Sequence, residues 1–450
     1  MSKLKRLWSS LRSTFWFVPS LIVVYSIALA VALIEADSAG SDRWLAQWPR
    51  LFGAGAEGAR GMMSTIAGSM MTVVGVTFSM ILVVLALASS QYTSRILRNF
   101  MRSRTTQVVL GIFAGIFTYC LIVLRTIRGG DEGTFVPSLA VFFGFVLALG
   151  GVGALMFFIH HIASSIQASS IIASVAQETI AAIDRLFPEE SGQGSDEDGE
   201  DQAPRPLSER NWRAVPAMES GYIQGVNIVA LVRLARDRES IVWLEHGIGE
   251  FVVQNTALAS LCHRDPLDQE TIGALRATFS ISRYRTVEQD AAFGIRQIVD
   301  VALKALSPGI NDTTTAVTCV DYLTAILTRL ASRRFPSSRH REGGELRVIT
   351  VAPTFENLLA VSFDEIRRNA EGNVAVMTRM LGALEIIGTF TASPRRRRAL
   401  REQVQWISDL ADRTTRSTQD RARIERQLMQ VREALESGLA VCAGRGTGRA

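Results

Sequence analysis

Apolar and polar positions divide this chain into two unequal parts. Four runs, Phe15–Ile34, Ile66–Ala88, Gln107–Leu124 and Phe135–Ile159, hold no Asp, Glu, Lys or Arg, and a mostly polar chain follows them. Each run has about 18–25 residues, which at about 1.5 Å per helical residue matches a hydrocarbon core about 30 Å thick. An ionised side chain at the centre of such a run would cost about 2.5–3.5 kcal/mol to insert. The pattern predicts four transmembrane helices near 15–34, 66–88, 107–124 and 135–159, in a membrane domain over residues 1–160. The first run is too long for a typical signal-peptide core and is read as a retained crossing. Helical period continues past the fourth run, with Ile162, Ile166, Ile171, Val175, Ile180 and Ile183 three to five residues apart. This predicts a helical stalk over 161–187, continuous with the fourth crossing and ended by Pro188.

The pattern then breaks. Glu189–Asp201 holds seven acids and no base among thirteen residues, so 188–216 reads as an acidic disordered linker. Residues 217–262 switch to short apolar alternation, with strands expected at Tyr222–Val226, Ser240–Leu244 and Phe251–Val253 around the turn His246-Gly247-Ile248-Gly249. This is a small β-containing module. Residues 263–440 read as a helical domain. Within it Asp268–Ala277 is a helix, and Thr286–Gln289 matches a capping box with Glu288 and Asp290 in the first turn. From Ala291 to Leu306 the helix is apolar almost all round, apart from the stripe Arg296, Asp300 and Lys304. Ser307-Pro308-Gly309-Ile310-Asn311-Asp312 ends it, and Thr313–Leu330 follows as an antiparallel partner. Further elements are a strand at Leu346–Val351, helices at Phe355–Asn369 and Val374–Ile387, a basic helix from Pro394, and a last helix patterned by Ile424, Leu428, Val431 and Leu435. Residues 441–450 read as a disordered tail. The fold class expected is membrane α-helical, four transmembrane helices followed by a helix-rich α+β cytoplasmic domain.

Charge sets the expected orientation. Lys3, Lys5, Arg6 and Arg12 precede the first run, and Arg95, Arg98, Arg102 and Arg104 lie between the second and third with no acid among them. The other two loops mix signs. Lys/Arg-rich loops stay cytoplasmic, so both termini and the polar part are expected inside, in a bacterial inner membrane. The net charge of +5 would suit an acidic partner such as nucleic acid. Its concentration beside the crossings points to anionic lipid headgroups and not to nucleic acid. Arg395, Arg396, Arg397 and Arg398 open a helix, where the dipole disfavours cations. A solvated face, anionic lipid and the acidic linker are the readings left open for them. The cysteines at 120, 262, 319 and 442 are isolated, which fits a reducing compartment better than a disulfide framework.

Enzyme chemistry finds no footing. No HExxH or CxxC, no phosphate loop and no nucleophile elbow occurs. His160 and His161 are adjacent, about 100° apart on a helix, and so are poor co-ligands. No cofactor and no metal are expected. Transport is more open. Ser69, Thr72 and Ser79 fall near one face of the second crossing, either to line a polar path or to bond a neighbouring helix. Gly111-x-x-x-Gly115 in the third crossing is a small-xxx-small match that weakly supports association. The strongest candidate ligand or interface motif is Arg285, Asp290, Arg296, Ser307, Pro308, Gly309, Asn311 and Asp312. Its bland reading is helix caps and a tight turn. Arg285 and Asp290 would sit at the opposite end of the helix pair from Asn311 and Asp312.

Several of these segments are distinctive together: Arg285-Thr-Val-Glu-Gln-Asp290, Phe293-Gly294-Ile295-Arg296, Ala305-Leu-Ser-Pro-Gly-Ile-Asn-Asp312 and Ala316, with Gly221-Tyr222-Ile223-Gln224 and Gly249–Val252 upstream. Over roughly residues 10–435 the chain resembles the bacterial membrane-protein family catalogued as domain of unknown function 2254. Members commonly carry a Pro directly after Asn-Asp; this chain has Thr313, a departure that would loosen the start of the second helix. The resemblance implies an inner-membrane protein and no particular activity.

The expected function is therefore a channel-like or passive transport protein gated by its cytoplasmic domain. The alternative is a membrane-anchored sensor or scaffold that binds a cytoplasmic partner or small ligand. A homo-oligomer is expected in either case, because the 286–306 helix is too apolar for a small lone domain to cover easily.

Overall fold

The computed structural model describes residues 16–38, 55–91, 104–128, 135–165, 167–189, 212–262 and 267–444. The chain forms two compact units, Met1–Ser170 and Ile171–Ala450.

The first unit holds four apolar helices, each long enough to cross a bilayer: α1 (Phe17–Ser38), α2 (Ala56–Gln91), α3 (Arg104–Thr126) and α4 (Ser138–Ser165). All four end beyond the apolar runs that predict them, and in α1 and α2 charged end residues bond inside the unit. Asp37, on the last turn of α1, is buried and accepts the Leu139 and Ala140 amides at the start of α4 at 3.1–3.2 Å. It satisfies orphan donors of a helix amino terminus from a different helix. Arg60, in the first turns of α2, donates to the Ile127 carbonyl at 2.9 Å. The central helix is α3: 56% of its apolar window is buried, against 11–22% for the others. Glycine lets α1 approach it. A Cβ at Gly111 would lie 2.7 Å from Ile22 Cδ1, and one at Gly115 would lie 2.5 Å from Ser26 Oγ. The Gly111/Gly115 pair therefore serves packing within one chain, and gives no support for association between chains. Gly144 presses likewise on Met63, and Gly151 on Ile116. Tyr119 Oη closes the α3–α4 contact by donating to the Ala140 carbonyl at 2.7 Å.

The fourth crossing and the expected stalk are two helices. α4 ends at Ser165, and α5 spans Ala168–Leu186. Ser164, Ser165, Ser169 and Ser170 crowd this point. Serine competes with helical hydrogen bonding; Ser164 Oγ bonds back to the His160 carbonyl at 3.0 Å. From Ile171 onward α5 belongs to the second unit and is no free stalk: Ile172, Val175, Ala176, Thr179, Ala182 and Ile183 are buried.

The second unit pairs two small sheets with a helical body. β1 (Trp212–Pro216), β2 (Gly221–Val226), α6 (Ile228–Asp237), β3 (Ile241–Leu244), β4 (Phe251–Val252), β5 (Ala257–Cys262), α7 (Gln269–Arg276) and β6 (Phe279–Ser282) come first. α8 (Ala291–Leu306), α9 (Thr313–Ala331), β7 (Arg339–Glu342), β8 (Glu345–Ile349), α10 (Phe355–Asn369), α11 (Val374–Thr389), α12 (Pro394–Thr414) and α13 (Thr418–Gly444) complete it. One sheet runs β1-β5-β3-β8-β7 and the other β4-β2-β6. β3 and β8 pair in parallel, Val242 opposite Val348, so the second half of the chain returns a strand to the first. Ile223, Val242, Val252, Leu258, Leu261 and Val348 share the core beneath.

Three boundaries differ from the sequence reading. Trp212–Pro216, placed in the acidic linker, is β1 and pairs with β5 from Trp212 opposite Cys262 to Pro216 opposite Ala257; the rest of that linker, 190–211, lies outside the described residues. The 263–440 segment supplies β6, β7 and β8 to the sheets and is not wholly helical. The tail from 441 begins as the end of α13, which reaches Gly444. The apolar α8 is covered by its own chain, between α9 and α10 with α5 across its first turn, so its composition no longer argues for a second copy.

Candidate functional site

The amino terminus of α8 brings together segments far apart in sequence. α8 is capped by Asp290 and not by the expected Thr286–Gln289 box. The Asp290 Oδ1 atom accepts the Phe293 amide at 3.1 Å, while Oδ2 accepts Arg285 Nε at 2.8 Å and Nη2 at 2.7 Å. Asp290 is buried, and Arg285 retains a partly exposed edge. Burial pushes the Asp290 carboxyl above the ordinary value, while the charge and hydrogen bonds of Arg285 and the Phe293 amide pull it down; burial is the largest of these. The guanidinium also lies over the Phe293 ring, 5.1 Å from its centroid.

Glycines build the wall of this clasp. Gly249 has φ +89°, and a Cβ there would collide with Asp290 Oδ2 and lie 2.8 Å from Arg285 Nη2. Its amide bonds the Ile223 carbonyl at 2.8 Å, tying the 246–250 turn to β2. A Cβ on Gly225 would lie 2.8 Å from Gln289 Oε1, which accepts the Val226 amide. Gln224 Nε2 donates to the Tyr284 carbonyl at 2.6 Å. Gly294 meets Thr179 of α5 so closely that a Cβ would collide with the threonine hydroxyl. The segments 221–226, 247–252 and 284–294 are thus one cluster. Of the sequence candidates only Arg285 and Asp290 belong to it. Gly225, Gly249, Gln289, Phe293, Gly294 and Thr179 were not among the candidate site residues, although Gly249, Gln289, Phe293 and Gly294 lie inside the distinctive segments. Glycine at tight spots was the available signal.

The other candidates sit elsewhere. Arg296 makes a two-pronged ion pair with Glu365 of α10 at 2.5 and 3.0 Å, and a third contact with Asp300 at 3.2 Å, which fastens α8 to α10. Ser307, Pro308, Gly309, Asn311 and Asp312 form the turn between α8 and α9. Ser307 Oγ bonds the Lys304 carbonyl at 2.6 Å, Asn311 takes φ +48°, and Asp312 caps α9 through the Thr315 amide at 3.0 Å. The hydrogen bonds from Thr315 hold the Asp312 carboxyl below its usual range. Thr313 keeps α9 anchored, since its hydroxyl accepts from Asn373 Nδ2 at 2.9 Å.

Two of the arginines offered to lipid are buried. Arg396 donates to the Ala331 carbonyl at the end of α9 at 3.0 Å and lies over Phe335 and Phe355, 5.1 and 5.7 Å from their centroids. Its charge meets the negative end of α9, which explains a cation at the start of α12. Arg397 donates to the Thr391 carbonyl at 2.9 Å. Both side chains are buried within the second unit. Arg395 pairs with Glu356 at 2.9 Å, and Arg398 with Glu402 at 3.1 Å. Arg104 is exposed at the start of α3, and Arg95, Arg98 and Arg102 lie outside the described residues.

In the membrane unit, Ser69, Thr72 and Ser79 are exposed on α2, away from its buried face of Met63, Ala67, Met70, Thr77, Ile81 and Val84. The outward pole reads Gly61, Thr65, Gly68, Thr72, Gly75 and Ser79, at alternating steps of four and three. The described residues place no atom within 4 Å of a Cβ added at Gly61, Gly68 or Gly75. Thr65 and Thr72 donate to the Gly61 and Gly68 carbonyls at 2.8 and 3.1 Å. Among the described residues no group of three or more His, Cys, Asp or Glu could hold a metal ion.

Residues 12–386 match the family model described as Predicted membrane protein (DUF2254). The chain belongs to this family. Two uncharacterized relatives, from Mycobacterium bovis and Mycobacterium tuberculosis, are each 34% identical over 388 residues, spanning 84% of this chain and 73% of theirs. No solved structure matches. Membership makes the protein a predicted membrane protein of the family, and the family description states no activity.

Proposed function

We propose that the protein is a homo-oligomeric channel-like or passive transport protein of the bacterial inner membrane, with the outward pole of α2 lining or sealing a path shared between copies. The carrying observation is that pole: glycines with open space before them, alternating with hydroxyls, on a face the described residues do not cover. Glycine and threonine gain little from lipid tails, whereas small residues let helices approach closely and hydroxyls bond across them. Leu, Val or Phe suit a lipid-facing surface better; α2 exposes Val76, Phe78, Leu82 and Val83 towards its second half, and α4 exposes Phe145, Val146, Leu149 and Phe157. Arg-rich loops support cytoplasmic termini, and with them a reading of the second unit as a gating body on the inner side. Purified protein in liposomes should pass small solutes or ions, and Ser69→Ala with Thr72→Ala should change the rate. Absence of flux for every solute and stimulus tried would rule the path out and leave the sensor or scaffold reading.

A further inference from the structure

We propose that the Arg285–Asp290 clasp sets how firmly α5 is held, acting through the Phe293 ring and the Thr179–Gly294 crossing. Phe293 serves both structures. Its amide is capped by Asp290 at 3.1 Å, its ring lies under the Arg285 guanidinium, and it packs in a small separate core with Val287, Ala182 and Leu186. Ala182 and Leu186 belong to α5. The next residue, Gly294, touches Thr179 one turn earlier on α5. The Thr179 hydroxyl is committed to the Val175 carbonyl at 2.7 Å, so this crossing is held by shape alone.

The opposite face of the same stretch of α5 is held differently. Asp184 accepts Arg329 Nε and Arg333 Nη2, both at 2.7 Å, and Arg333 Nη1 takes the Phe187 carbonyl at 3.1 Å. The ionic face therefore anchors α5 to the end of α9 and the residues just past it, and the packed face meets the clasp. Freeing Arg285 from Asp290 removes the cation over Phe293 and lets the ring reorient against Ala182 and Leu186. Coupling of this kind needs contiguous packing between the two elements, which the shared ring supplies. The inference deepens the gating reading, because α5 is the chain's first helix after the fourth span, but its test does not measure flux, so either can fail alone.

The test is hydrogen exchange of α5 peptides in the full-length protein in nanodiscs. Asp290→Asn keeps a capping oxygen and abolishes the ion pair. Exchange over residues 175–186 should rise about tenfold. Asp312→Ala, which strips the cap of α9, should leave α5 unchanged. Gly294→Ala should loosen α5, and Thr179→Gly in the same chain should restore it; the double variant carries this arm if the single one does not fold. Unchanged α5 exchange in Asp290→Asn, or an equal rise in Asp312→Ala, would reduce the clasp to a local cap. Failure of the double variant to recover would remove the Thr179–Gly294 route.

Discussion

In α3, Gly111 and Gly115 are pressed against Ile22 and Ser26 of α1, whereas in α2 the described residues leave the space before Gly61, Gly68 and Gly75 open. Both sets lie in apolar helices long enough to span, and both look alike as sequence. The second unit resembles α3 in this respect: Gly225, Gly249 and Gly294 each press on a side chain from another element. Glycine thus marks close packing in α3 and in the second unit and open space along α2, with Gly150 and Gly153 of α4 open as well. The open pole of α2 is where a further surface is wanted, and that contrast supports the proposed oligomer.

The contrast can be broken first where packing is finished. Arg285→Ala should have the largest effect, about 3–5 kcal/mol, because it leaves the buried Asp290 charge unpaired. A denaturation midpoint within error of the parent would show that the clasp is not closed. Gly115→Leu should cost about 1–3 kcal/mol by forcing α1 from α3, read as a lower melting temperature in detergent.

Asp184→Asn should cost less, under about 1 kcal/mol, because the site is partly exposed and screened. Hydrogen bonding from Arg329, then the charges of Arg329 and Arg333, hold the Asp184 carboxyl below its ordinary value of 3.8 despite an opposing desolvation. A lowered folded pKa means the stabilisation is complete above 3.8 and vanishes as pH falls through the folded value. The parent should therefore melt above Asp184→Asn at pH 7, and the two should converge in acid. A gap that widened on acidification would reverse the sign. Smallest on the protomer is Gly68→Leu, expected within about 0.5 kcal/mol of the parent, since no described residue lies within 4 Å of an added Cβ. Its effect should appear in assembly and flux instead.

Much of this was legible in advance. Long stretches without charge gave away the spans, because no other environment permits them. A cap at Asn311 or Asp312 was legible from turn chemistry, and Asp312 is the one that caps α9. The sheets were half-hidden: β3 finds β8 about a hundred residues later, and no local pattern records that pairing. Arg396 and Arg397 misled because guanidinium groups usually mark surface, while here aromatic faces and helix-end carbonyls receive them. Asp37 was legible only as a loop acid, since its partner amides lie on another helix. The clasp was half-read: Arg285 and Asp290 stood out, but the glycines that close around them matter through a third dimension.

The most direct measurement is cross-linking at the pole itself. In a background with the native cysteines replaced, Thr72→Cys should yield a covalent dimer on mild oxidation in native membranes, while Leu149→Cys on the lipid-facing side of α4 should stay monomeric. Equal yields from both positions, or no dimer from Thr72→Cys, would contradict a shared α2 face.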